Sequence, residues 1–216
     1  TVYSGMAIDD YLQANDHRDV VRKEFGFTED QIVVGKIARL FNLKGHKYLV
    51  EAAKSIVAEN PNVHFLLVGD GTLRESIVTQ IEAGGVTEHF HFTGLVPPTD
   101  VPRYIGAMDL LAHTSLREGL ARALPQALLA GKPVLSFDID GAREVCITGE
   151  TGILTDAKDI NALSAGILEL ASSPEKREQL GATGRAKCRE MYSHQRMTER
   201  IREIYSEVLE AGQVRP

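Results

Sequence analysis

The sequence predicts an α/β protein built on a doubly wound parallel sheet, with helices on both faces and a helical C-terminal tail. Three observations carry this prediction. Short apolar runs alternate with amphipathic stretches almost from end to end. The connections between them are short, and no low-complexity linker divides the chain. One run, Phe65-Leu66-Leu67-Val68, is continuously apolar, as suits a strand covered on both faces.

The elements follow in order. Ile32 to Ala38 reads as a strand. His46 to Glu59 reads as a helix, because Leu49, Val50, Ala53, Ile56 and Val57 recur at helical spacing and Asn60-Pro61 stops it. Val63 to Val68 is a second strand, and Gly69-Asp70-Gly71 turns the chain into a helix over 72–83. Phe90 to Thr93 is a short strand leading to Gly94 and Pro97-Pro98. A helix over 99–106, a strand over 109–113 and a helix over 122–130 come next. Gly131 ends that helix, and Pro133 prevents its continuation. Strands are expected at 133–137 and 152–154, then helices at 159–172, 174–191 and 193–210, with Ser193 as the cap of the last. The first thirty residues read as an edge strand (Val2 to Ile8) or an interdomain connection, residues 31–192 as the Rossmann-like domain, and 193–216 as a terminal crossover helix.

Composition narrows the function classes. The chain has 216 residues, 43% hydrophobic and 25% charged, which is ordinary globular composition. Folding at this length buries roughly 70% of the unfolded chain's surface, enough for a real core. The net charge of −6 argues against nucleic acid, whose phosphates call for a basic excess. No apolar run approaches the roughly 20 residues that span a bilayer, and no signal-peptide pattern opens the chain. Two cysteines, Cys146 and Cys188, suit a reducing, cytoplasmic compartment and sit in no metal-ligand spacing. The chain opens on Thr1 rather than Met, as expected of a piece of something longer.

Ligands of such sheets bind beyond the carboxyl ends of the strands, so the residues after each strand matter most. After the first come Arg39 and Lys44, a planar fork of donors and a compact ammonium on one loop. They can converge on a diphosphate, or be two solvated surface charges. After the second, Gly69-Asp70-Gly71 lets backbone approach a ligand, or is a tight turn with an Asx cap. The three-glycine dinucleotide pattern is incomplete there, which argues against a nicotinamide-dependent oxidoreductase. Leu95 and Val96 form one wall for a planar base, or part of a stiff connection. The longest informative stretch runs from His113 to Pro133. In it a carboxylate, Glu118, precedes a glycine and then a helix begins, so that the amides from Gly119 and Leu120 onward, with the helix's positive end behind them, can hold a phosphate while Glu118 holds a sugar by its hydroxyls. Glu118 can equally pair with Arg117, Arg122 or Arg143, and His113 reads as a satisfied strand-end histidine.

At these residues the chain resembles the carboxyl-terminal domain of the family-4 (group 1) retaining glycosyltransferases, which have the GT-B architecture. Gly35 to Arg39 with Lys44-Gly45 is similar to the family's phosphate-binding loop, and Leu67 to Gly71 and Phe92-Thr93-Gly94 to its next two landmarks. Ser115 to Pro133 resembles its signature of two glutamates separated by seven residues. Thr148 to Gly152 and the helix after Tyr192-Ser193 also fit. The first signature glutamate is Glu118, but the second position holds Gln126, which keeps one carbonyl acceptor and loses the charge. Ala121 replaces the usual glycine.

The resemblance implies a donor-binding domain for a nucleoside-diphosphate sugar, with the N-terminal acceptor domain missing from this chain. It implies that Arg39 and Lys44 neutralise the departing diphosphate, that Glu118 holds the sugar hydroxyls with the amides of Gly119 and Leu120 nearby, that Gly69, Asp70, Gly71 and Ser115 line the donor, that Leu95 and Val96 bracket the base, and that Gln126 meets the ribose. It implies transfer with retention, without a divalent metal or other cofactor, to an acceptor that can be peripheral to a membrane. A noncatalytic nucleotide- or sugar-binding relative is the alternative, with Gln126 as its mark.

Overall fold

The computed structural model describes residues 1–213. Six parallel strands, β1 (Ile32–Ile37), β2 (Val63–Val68), β3 (Phe90–Gly94), β4 (Leu110–His113), β5 (Val134–Phe137) and β6 (Gly152–Thr155), form one sheet in the order β3-β2-β1-β4-β5-β6. Every residue of β2 is buried, which is what its unbroken apolar run requires. The helices are α1 (Asp9–Leu12), α2 (Arg18–Glu24), α3 (His46–Glu59), α4 (Arg74–Ala83), α5 (Val101–Ala107), α6 (Ala123–Leu129), α7 (Ile160–Ser172), α8 (Pro174–Met191) and α9 (His194–Gln213). Two core clusters lie on opposite faces of the sheet. One joins β1 through Val34 to α3 and α7, the other joins it through Val33 to α5 and α6. This is the doubly wound design that the alternation predicts. The expected cap of the last helix is present: Ser193 Oγ accepts from Arg196 N at 3.1 Å. Residues 214–216 of the expected crossover segment lie outside the described residues.

Of the two readings of the opening segment, an edge strand or an interdomain connection, the edge strand does not form. The sheet's edges are β3 and β6. Val2 to Ile8 contributes a single bridge, Met6 to Ser193, and the chain then turns helical. Met6, Tyr11, Ala14, Val21 and Phe27 are all buried in the core on the α5–α6 face. Arg22 anchors this segment, donating to Thr28 O and Gln31 O at 2.6 Å each and pairing with Asp109 at 3.2 Å. The signal was there: Tyr11 and Ala14 stand three apart and Ala14 and Val21 seven apart, a helical stripe interrupted by polar residues.

A histidine cluster underpins β2 and β3. His64 Nδ1 lies 3.2 Å from His91 Nε2, and the rings of His64 and His89 are 4.8 Å apart. Burial, then the neighbouring imidazoles, pushes His64 down to about 4, and burial followed by His89 lowers His91. An unfolded histidine titrates near 6.5. Below that pH the unfolded chain therefore takes up protons that the folded cluster refuses, and stability is lost as pH falls from about 6.5 towards 4. A melting series from pH 7 to pH 5 is expected to show a falling midpoint, and His64→Gln to flatten that fall. An equal fall in the variant refutes the assignment.

Candidate functional site

The strand order places β1 beside β4, with β2 and β3 on one side and β5 and β6 on the other. The loops leaving β1 and β4 therefore diverge and open a crevice at the carboxyl rim, the switch point where ligands of such sheets bind. Arg39 and Lys44 come from the first loop and Glu118 from the second.

The two loops are laced together by backbone. Leu116 N donates to Leu43 O at 2.8 Å, and Thr114 Oγ1 donates to Gly45 O at 2.9 Å. Gly45 has φ +64°, and a Cβ there would stand 1.9 Å from Thr114 O, so only glycine allows this approach. The turn Asn42–Lys44 then delivers Lys44 to Glu118 as an ion pair. Directly after it α3 begins at His46, with no side chain capping its amino end. This fourteen-residue helix thus starts two residues after Lys44, with first-turn amides that no side chain caps.

Arg39, Lys44 and Arg117 line one cavity of about 450 Å³ together with Phe41, Asn42, Leu43, Thr72 and Leu73. The Arg39 guanidinium lies 5.0 Å over the Phe41 ring. Glu118 is one-fifth exposed and is held well below the usual carboxylate range, at about 2, by the His113 ring and by the Lys44 ammonium, which together outweigh its partial burial. His113 Nε2 faces Glu118 Oε1 at 3.8 Å, and Nδ1 lies 3.2 Å from Ser136 Oγ. Burial keeps the His113 ring neutral at physiological pH. Glu118 N in turn donates to Asp140 Oδ2 at 2.7 Å, which aims the loop.

Of the expected site residues, Arg39 and Lys44 line one cavity, and Glu118 is joined to it through its ion pair with Lys44. Others are placed differently. The glycines of Gly69-Asp70-Gly71 face backbone, since a Cβ at Gly69 would stand 2.4 Å from Ala38 O and one at Gly71 would stand 2.7 Å from Leu40 O. Leu40 N donates to Asp70 O at 3.0 Å. This turn thus holds the Arg39 loop in place. Gly119 and Leu120 precede α6 and lie in the loop, lining a neighbouring cavity of about 250 Å³ with Tyr3, Pro125 and Tyr192. Leu95 is 80% exposed beyond β3, while Val96 packs against the core. Ser115 is fully buried, and its hydroxyl has no hydrogen-bond partner among the described residues. Gln126 donates from Nε2 to the Tyr11 hydroxyl at 2.7 Å. Sequence reasoning missed Arg117, Phe41, Asp140 and Lys36; a lysine inside an otherwise apolar strand was the one signal available for the last.

Comparison with known proteins decides the family. The family described as Glycosyl transferases group 1 matches residues 17–187. This chain belongs to the group 1 glycosyltransferases. The putative glycosyltransferase EpsD of Bacillus subtilis is 31% identical over 86% of this chain and 48% of its own length. A GDP-mannose-dependent phosphatidylinositol monomannoside mannosyltransferase of Corynebacterium glutamicum is 29% identical over 93% of this chain and 54% of its own. The glycosyltransferase chain thus spans about half the length of these curated relatives. The crystal structure of HepE from Anabaena, in complex with UDP and glucose, superposes with a TM-score of 0.87 at 27% identity, covering 95% of this chain and 56% of that one. Its fold is the Rossmann-like fold of the GT-B glycosyltransferases. Among the described residues no helix is long and apolar enough to cross a membrane, and no group of three or more His, Cys, Asp or Glu could hold a metal ion.

Proposed function

We propose that this chain is the donor-binding part of a retaining glycosyltransferase that moves a sugar from a nucleoside-diphosphate sugar to an acceptor. The observation that carries the proposal is that Arg39 and Lys44 line one cavity beyond β1, with the Glu118 carboxylate paired to Lys44 and the uncapped amino end of α3 following two residues later in the chain. Cations and oriented amides stabilise the negative charge that grows on a departing diphosphate, so no divalent metal is needed there. Glu118 stays ionised at any working pH and accepts hydrogen bonds from sugar hydroxyls. Leu95 and Val96 bracket the base at the end of β3, and Gln126 offers its carbonyl oxygen to the ribose. Residues 31–192 form the nucleotide-sugar domain. The exposed apolar side chains of α9, among them Tyr205 and Val208, are the surface that meets the acceptor domain of the same protein. The protein works in the cytoplasm, at a membrane periphery where its acceptor is lipid-borne.

A thermal-shift screen of UDP-, GDP- and ADP-sugars tests donor binding: stabilisation by one nucleotide series is expected, and no stabilisation by any refutes it. Gln126 gives the reading an internal check. The Tyr11 hydroxyl that now accepts from the amide can donate to a carboxylate in its place. Gln126→Glu is therefore expected to hold nucleotide affinity or tighten it up to about tenfold, since a charged acceptor is roughly twice as strong as a neutral one. A sharp loss would instead favour the noncatalytic relative, with the site adapted to the amide. Donor hydrolysis by the full-length protein decides between the two.

A further inference from the structure

The interior of β1 carries a lysine that the roles above do not use. Lys36 stands two residues after Val34 on the same strand and so shares its face, the α3 side of the sheet, where it is 1% exposed. A buried ammonium without a counter-charge is costly. Lys36 makes no ion pair among the described residues. Its hydrogen bond goes to Thr114 Oγ1 at 2.9 Å, and that hydroxyl donates onward to Gly45 O. Thr114 thus stands between the amine and the turn that carries Lys44. The ionisable groups that face Lys36 are Lys44 from this turn, His46 at the start of α3, His113 at the end of β4 and Glu118 from the next loop. Both imidazoles are kept neutral by burial, His46 with neither ring nitrogen hydrogen-bonded. Lys44 and Glu118 cancel one another. The charge missing from this balance is an anion above Lys44.

We propose that Lys36 is a third, buried cation of the donor site: it takes up a proton when a diphosphate settles on Lys44 and releases it when the diphosphate leaves. The inference rests on the donor-binding reading. Burial, followed by the Lys44 charge and opposed by Glu118, brings the Lys36 amine down to about 7, so its proton is held loosely before the anion arrives. An opposite charge nearby favours the protonated form and raises that value. Lys36 acts through Thr114 and is a positioning residue; it touches no part of the donor. Diphosphate affinity is then linked to pH: it falls about tenfold more between roughly pH 6.5 and 8.5 in the parent than in Lys36→Met.

The test is a titration of the whole chain with carbon-13-labelled lysine, followed by NMR. The Lys36 signal is assigned by its absence in Lys36→Met, a change that removes a buried charge and leaves the apolar stem. Its midpoint is expected near neutrality in the unliganded protein, and higher by more than about one unit with UDP, GDP or inorganic pyrophosphate at saturation. Calorimetry of the same three anions reports binding separately. Nucleoside diphosphates that fail to bind remove the donor reading, and pyrophosphate then judges the coupling alone. A Lys36 signal that titrates with the surface lysines, or a midpoint that none of the anions moves, overturns the proposal.

Discussion

Calorimetric titration of the chain with UDP or GDP is expected to lose about ten- to one-hundred-fold in affinity when Arg39 or Lys44 becomes alanine, the equivalent of one charge-assisted hydrogen bond or a bidentate pair, about 1.5–3 kcal/mol. The two losses differ in origin. Arg39 is held over Phe41 and lines the cavity with no ion pair among the described residues, so Arg39→Ala removes the proposed phosphate contact and little else. Lys44 is paired to Glu118, so Lys44→Ala also frees a carboxylate at the rim of the site. That carboxylate stays ionised and repels an incoming diphosphate. A second change, Glu118→Gln, is therefore expected to restore part of the affinity lost in Lys44→Ala while doing nothing for Arg39→Ala. Such a pattern is a coupling between neighbours, visible only in the double-mutant cycle. Parent-like affinity in both single variants sinks the phosphate assignment.

How far the sequence foretold this arrangement differs between its parts, for physical reasons. A strand buried on both faces must be apolar throughout, so β2 was legible residue by residue. The places of Arg39, Lys44 and Glu118 at the carboxyl rim were legible because each follows a strand that its apolar run marks. The Gly69-Asp70-Gly71 turn was not, because a glycine needed for close approach to a ligand and one needed for close approach to neighbouring backbone look alike in a sequence. Only coordinates show that Ala38 O and Leu40 O occupy that space. The opening thirty residues were the least legible for another reason. Their helices are short, and their apolar positions are held by a tertiary anchor, Arg22 on Asp109, eighty-seven residues away in sequence. Gln126 was read by its place in a signature, whereas its hydrogen bond to Tyr11 depends on where that anchored segment lies. Long-range partners of this kind leave no local pattern to read.

The largest stability effect is expected at the seam between the two loops. Gly45→Ala places a Cβ 1.9 Å from a backbone oxygen, Thr114 O, which cannot swing aside as the end of a flexible side chain could. The positive φ of 64° adds roughly 1–2 kcal/mol for an L side chain. Relief of the contact must part the β1 and β4 loops, breaking the bond from Thr114 Oγ1 to Gly45 O and straining that from Leu116 N to Leu43 O. The total is expected at roughly 3–4 kcal/mol, a fall of about 6–16 °C in melting temperature for a chain of this size. Gly26→Ala supplies the control. It has nearly the same φ, 73°, and nothing within 4 Å of the added carbon, so it carries the backbone strain without the collision. Its midpoint is expected to fall by only about a third as much. Because the same movement displaces Lys44, Gly45→Ala also loses nucleoside diphosphate affinity at temperatures where it is still folded, while Gly26→Ala keeps it. Equal melting of the two variants would mean that the loops part freely, and a crevice whose walls part freely does not hold its cations ready for a diphosphate.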